Sequence, residues 1–400
     1  MAKGEGRMKL LVGVLFFAVG IVGWYVILRR RYDALIKGLP EDASARAEYY
    51  WQWLALKRRY LTLLGAVCCS LSSVGIVIAL ASFPSAKFAL HAIGPAFWLI
   101  VLAFIVTSWL AYYPFDRALR ESTWSLGTYL RWMTIIPLWV GGAFPVSWLI
   151  GLEMTRQIAV AFPSYPMPPL GTAGLLIFGF GLSFLLLTRF FPSLLHPQPL
   201  ADERILAMVC DLSEKAGIKP PKLWLLPCLG GKMPLAVATW RSIFVTDFLC
   251  EQLKEGEMKA LLAHELAHQR FQHPYRRAFI VGIFVALASL VLSFIPWASW
   301  SDREGMLIEF AALAAFWLFL RRLYLQWHRE EWKADEMAAQ LVGSGALVAQ
   351  TLEKIHILAF VPSAFPKGFR FTHPSLQSRL ENLRQLEQTD VQARDAQERQ

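Results

Sequence analysis

The segment HELAH, His264 to His268, sets two imidazoles four residues apart, with a glutamate directly after the first. On a helix turning about 100° per residue, His264 and His268 share one face, roughly 40° apart. Two imidazoles so placed reach one tetrahedral zinc ion. Glu265 lies about 100° from His264, beside such an ion and not on it. That is where a general base takes a proton from water held at a metal. HExxH on a helix is the zinc-protease spacing. The competing reading is a solvated helix face. The apolar surroundings ALLAHELAH disfavour it, because ionisable groups in such a setting need partners.

A third ligand is required. His273 is nearest, but it lies about 500° of helix rotation past His268, roughly 140° off the ligand face. The extended pattern HExxHxxGxxH needs glycine where Phe271 stands and histidine where Pro274 stands. His273 is therefore read as a helix-end residue at the membrane surface. The other common catalytic set is two His and one Glu. HREEWKADEMAAQL supplies Glu331 and Asp335, four apart on one helical face. Glu331 could bind the metal while Asp335 receives an N–H from a ligating histidine. On spacing alone an amphipathic charged helix fits as well, since Arg329, Glu330 and Lys333 surround these residues.

The elements that must carry these residues are mostly membrane helices. The 400 residues are 56% hydrophobic, with 16 Trp and a mean hydropathy of +0.40, above the usual range of soluble chains. About seven runs approach the 20 apolar residues that cross a bilayer: Leu10–Leu28, Leu61–Ala81, Ile93–Tyr113, Met133–Leu152, Gly171–Thr188, Ala278–Trp300 and Gly305–Leu325. The first lacks a small-residue cleavage site and is followed by RRRY, so it reads as a retained helix, not a signal peptide. The net charge of +10 fits the positive-inside rule, and no nucleic-acid partner is expected. The loops after the first and third spans hold Arg29, Arg30, Arg31, Lys57, Arg58, Arg59, Arg117 and Arg120, whereas the alternate loops are poor in basic residues. This places the N-terminus outside and both polar segments, from Arg189 and from Arg322, in the cytoplasm. The five cysteines form no CxxC pair, which supports neither a zinc ribbon nor a disulfide framework.

Five organisational units follow. Residues 1–191 form a membrane domain with five spans. Residues 192–277 form a cytoplasmic α+β segment ending in the HExxH helix. A helical hairpin covers 278–325, a cytoplasmic helical segment 326–385, and a polar tail 386–400. Within the second unit, DERILAMVCDLSEKAG reads as a helix capped at Gly217, and PPKLWLLP as a short strand. PLAVATW and RSIFVTDFL read as a hairpin or neighbouring strands, and EQLKEGEMKALLAHELAHQRF as one helix ending before Pro274. The hairpin at 278–325 crosses out and back, returning Glu331 to the side of the histidines. The fold class is thus a mainly α-helical polytopic membrane protein with a small α+β zincin-like domain.

Three segments in order, LLAHELAHQRFQH, EEWKADEMAA and THPSLQSRLENL, resemble the motifs of the membrane-integrated zinc metallopeptidases. That family includes the type I CAAX prenyl proteases and the heat-shock protease HtpX. The similarity spans about residues 200–385, and about seven spans look more like the CAAX-protease branch. The resemblance implies one Zn²⁺ held by His264, His268 and Glu331, with Asp335 behind them. It implies Glu265 as general base, and His373 and Arg379 near the metal as oxyanion stabilisers. Leu235, Ala236, Val237 and Ala238 correspond to its substrate-binding edge strand, which pairs with peptide backbone. Met233-Pro234 stands where the family carries Asn-Ala. The expected activity is zinc endopeptidase cleavage of membrane-associated, misfolded or prenylated protein substrates. Two other readings remain. One is a metalloprotease-like membrane sensor or signal transducer, which needs a longer outer segment than these loops offer. The other is a transporter or scaffold with a structural zinc, which has no use for Glu265.

Overall fold

The computed structural model of the chain describes residues 2–80, 86–137, 139, 169–239, 241–293, 302–362 and 373–386. Long apolar runs give three long helices, α1 (Ala2–Lys37), α2 (Ala43–Leu80) and α3 (Ala86–Arg120), the last continuing through Pro95 and Pro114, packed on one another. Small residues let α1 and α2 touch backbone to backbone. A methyl group on Gly13 would lie 2.5 Å from the Gly75 carbonyl oxygen, the close approach typical of membrane helix pairs. The Ser72 hydroxyl donates across the same contact to the Phe17 carbonyl at 3.2 Å. α4 (Leu126–Pro137) and α5 (Pro169–Ser193) follow.

Among the described residues, Met8–Lys37 and Tyr60–Ala79 are long and apolar enough to cross a bilayer. They contain the first expected span and nearly all of the second. Three other expected spans lie within α3, α5 and α10 (Asp302–Val342); of Ala278–Trp300, the part up to Ser293 lies in α9 (His273–Ser293) and the rest lies outside the described residues. Met133–Leu152 falls mostly outside the described residues.

The polar part is built on a four-stranded sheet in the order β1 (Gln198–Pro199), β2 (Lys222–Leu226), β4 (Ser242–Thr246), β3 (Ala236–Ala238). β2 and β4 are parallel; β1 and β3 pair antiparallel at the two edges. The expected hairpin is therefore β3–β4. Strand alternation sends Leu223, Ile243 and Val245 to one face, into the core shared with α6 (Glu203–Lys215), α8 (Glu255–Arg270) and α11 (Gly345–Leu358). Trp224, Leu226 and Phe244 point the other way, onto Trp124, Tyr129 and Trp132 of the α4 region. The sheet is thus wedged between the HExxH helix and the helices before it. α6 starts at Asp202, whose carboxylate accepts the Arg204 and Ile205 amides, and ends at Gly217 with φ +65°, the left-handed cap that glycine favours.

Two helices differ from expectation. The stretch from Glu251 to Phe271 is not one helix: α7 (Asp247–Gln252) stops, Leu253 and Lys254 are extended, and α8 restarts. The Glu257 carboxylate accepts the Lys254 N–H at 2.7 Å, half of a capping box that makes a new N-terminus there. Conversely, the last expected span and the ligand-bearing segment are one uninterrupted 41-residue helix, α10. A helical stretch over residues 376–386, α12, closes the described chain.

Candidate active site

α8 and α10 lie side by side, with α8 buried along Met258 and Ala260 to His268. His264 and His268 project from α8 towards α10, which answers with Glu331 and Asp335. The His264 and His268 Nε2 atoms are 3.1 Å apart. His264 Nε2 is 3.6 Å from Glu331 Oε2, and His268 Nε2 is 3.5 Å from Glu331 Oε1. All three side chains are buried, and their ligand atoms lie within 4.8 Å of one another. Tetrahedral ligands about 2.0–2.1 Å from zinc stand roughly 3.3 Å apart, so the three atoms already mark out one face of such a site.

The electrostatics agree with a cation at this point. Burial opposes protonation of His264, yet the hydrogen-bonded carboxylates of Asp335 and Glu331 push it up to about 10. Burial drives His268 the other way, well below the usual histidine range. Burial alone would lift the Glu331 carboxyl, but the imidazoles of His373 and His268 outweigh it and hold it well below the usual carboxylate range. The pocket therefore holds two buried carboxylates in their charged form beside imidazoles, the donor types that a divalent metal takes.

The surrounding residues fix these ligands. Asp335, 0% exposed, has Oδ1 3.0 Å from His264 Nδ1, the position expected of it from the sequence. Arg379 donates to Asp335 through Nε at 2.7 Å and Nη2 at 2.5 Å. Its Nη1 is 3.7 Å from Glu331 Oε2. His373, with 59% of its side chain exposed, approaches Glu331 Oε2 through Nδ1 at 3.0 Å. Glu265 is buried, which raises its carboxyl pKa; the Ala238 backbone N–H bonds to it. The edge strand β3 thus runs against the proposed base. Leu235 lies just before β3 and pairs through its carbonyl with the Thr246 N–H at 3.0 Å.

His273 lies elsewhere than helix phase predicts. α8 ends at Arg270 with Phe271 as its C-cap, and Gln272 takes φ +54°. This turn breaks the helical phase and swings His273, the first residue of α9, back over the metal face. Its Nδ1 is 2.8 Å from His268 Nδ1, and the side chain is 1% exposed. The available signal was Pro274, which favours a fresh helix start and so a broken phase. Arg277, one turn further, bonds Glu330 through Nε at 2.5 Å and stacks over Trp327. It was not singled out from the sequence, because its partner lies 53 residues away.

Residues 199–387 match Peptidase family M48. The chain is 28% identical over 222 residues to Protease HtpX of Ectopseudomonas mendocina (strain ymp), covering 48% of this chain and 75% of that protein. It is 27% identical over 221 residues to Protease HtpX of Pseudomonas putida (strain KT2440), covering 48% and 74%. The crystal structure of S. mikatae Ste24p superposes with a TM-score of 0.55 at 16% identity, covering 94% of this chain and 98% of that one. At that identity the likeness speaks for the fold alone. Through its residues 199–387 the chain is similar to the metallopeptidases of family M48, and it is a metalloprotease.

Proposed function

We propose that the chain is an integral-membrane zinc endopeptidase whose substrates are membrane-associated, misfolded or prenylated proteins. The observation that carries this reading is the buried His264–His268–Glu331 triangle with Glu265 beside it and a strand edge alongside. Bound there, zinc would make a coordinated water acidic and polarise the scissile carbonyl. His264, His268 and Glu331 are the residues that would hold it. Glu265 takes the proton of the attacking water and passes it to the leaving amine; its burial, which raises its pKa, suits both transfers. His373, exposed at the mouth of the site, is the donor best placed to meet the developing oxyanion. Arg379 has two of its nitrogens committed to Asp335. Its role is to hold that carboxylate behind His264, with Nη1 left towards the reacting side.

The substrate backbone pairs with the outer edge of β3, from Leu235 to Ala238. The basic stretches Arg29–Tyr60 and Arg117–Arg131, largely helix ends in the structure, support a catalytic part in the cytoplasm of a bacterial inner membrane or on the cytoplasmic face of the ER. About seven spans, with a two-helix hairpin between the ligands, give this arrangement. The deciding measurement compares zinc content and peptide cleavage for wild type and Glu265→Ala. Retained zinc with cleavage reduced at least a hundredfold supports the reading. Unchanged cleavage, or a wild type that binds no zinc, defeats it.

A further inference from the structure

His273 is poised to select the form in which His268 meets the metal. His268 has two ring nitrogens. Nε2 faces His264 and Glu331, and Nδ1 faces His273 Nδ1 at 2.8 Å. A ligating nitrogen must offer a lone pair, so a neutral His268 serving through Nε2 carries its proton on Nδ1. That proton has one close acceptor, the Nδ1 of His273. His273 must then be neutral with its own proton on Nε2, an atom that is buried and has no hydrogen-bond partner among the described residues.

The two ligand histidines are therefore backed differently. His264 leans on a carboxylate, Asp335, itself held by Arg379. His268 leans on a neutral imidazole brought round by the Gln272 turn. The second α8 ligand is therefore oriented from the start of α9, one of the helices read as membrane-spanning. We propose that His273 is a positioning residue of the metal centre: it accepts the His268 Nδ1 proton and thereby fixes the tautomer and ring angle of that ligand. This inference rests on the metallopeptidase reading and gives a role to a residue beyond the HExxH segment itself.

The test is zinc affinity of the purified full-length protein, measured by competition with a chelator. His273→Phe keeps a ring and removes the acceptor. His273→Asn places a carbonyl oxygen near the position of Nδ1. Loss of a partner behind a ligating histidine typically costs about 10–100-fold in metal affinity, and that is the loss expected for His273→Phe. His273→Asn should fall within about threefold of wild type. Equal affinity of His273→Phe and wild type overturns the inference, as does a folded His273→Asn that loses as much as His273→Phe. A wild type that takes up no zinc removes the metal centre and the inference together, which tells that failure apart from failure of His273 alone.

Discussion

Glu265 and Arg379 are both buried in the site, yet their removal should read out differently. As the proposed base, Glu265 would move protons without holding the ligands, so Glu265→Gln is expected to lower kcat by about 10²–10⁴ at unchanged zinc content. Kinetics and metal analysis on one preparation check this. Arg379 balances a carboxylate that is 0% exposed. Arg379→Ala strands that charge and should destabilise the protein by about 3–5 kcal/mol, read as a shift of the denaturation midpoint. Arg379→Lys should recover little, because one ammonium cannot reproduce the two-point contact of the guanidinium with Asp335. At this scale the sequence was most legible where one helix dictates the geometry. The spacing of His264, Glu265 and His268 is a property of a single α-helix and carries straight into the structure. Asp335 followed by the same logic, four residues from Glu331. His273 stays at a helix end and outside the ligand triangle, but helix phase does not carry across Gln272, whose positive φ resets the direction. Nothing in the residue type of glutamine announces such a turn.

Among the elements, β3 and α8 decide how a peptide would be held. The Thr246 N–H bonds the Leu235 carbonyl, and the Thr239 N–H bonds the Ser242 carbonyl. Odd-numbered residues of the strand therefore turn towards β4, and Pro234, Ala236 and Ala238 face outwards. Pro234 has no N–H and the Ala238 N–H is on Glu265, so Ala236 alone offers a free outward donor. Pro234→Ala adds a second one. If peptides pair along this edge, KM for an extended peptide should fall about fivefold, near 1 kcal/mol, with kcat unchanged. An unchanged KM argues against pairing this far along the strand. The start of α8 gives a pH-dependent prediction. Burial alone would raise the Glu257 carboxyl, but the Lys354 ammonium at 2.6 Å and the Lys254 N–H hold it below its ordinary value. A depressed carboxyl stabilises the fold above its unfolded pKa and ceases to do so as pH falls through the folded one. Glu257→Gln should then cost about 1–2 kcal/mol at pH 7. The gap to wild type should close as the medium is made acidic, as thermal melts at both conditions would reveal. β2, β3 and β4 were readable from β-rich, proline-bounded runs; the two-residue β1 was not, and neither was the break at Leu253–Lys254. It depends on a side chain capping a backbone N–H, and neither residue is a helix breaker.

For the molecule as a whole, the open question is the side of the membrane on which the site works, and the chain carries its own probe. Its five cysteines are all free. Cys210 is exposed on α6, in the same core unit as the HExxH helix. Cys68 is buried and Cys69 partly so, both inside the apolar stretch Tyr60–Ala79. Cys228 is buried, and burial with Asp247 nearby pushes its thiol up to about 12; the same causes push the partly buried Cys250 up to about 11. Thiolates react and thiols do not, so a maleimide that cannot cross membranes should label the folded protein at Cys210 and hardly elsewhere. The proposed orientation, read from arginine and lysine between Arg29 and Arg59 and at Arg117 and Arg120, has the catalytic part in the cytoplasm. Labelling should therefore occur in inverted vesicles and be absent in intact cells, with Cys210→Ser abolishing it. Labelling from the outside of intact cells would reverse the orientation. It would leave the metal site intact, since His268 and Glu331 need only emerge on the same face, whichever face that is.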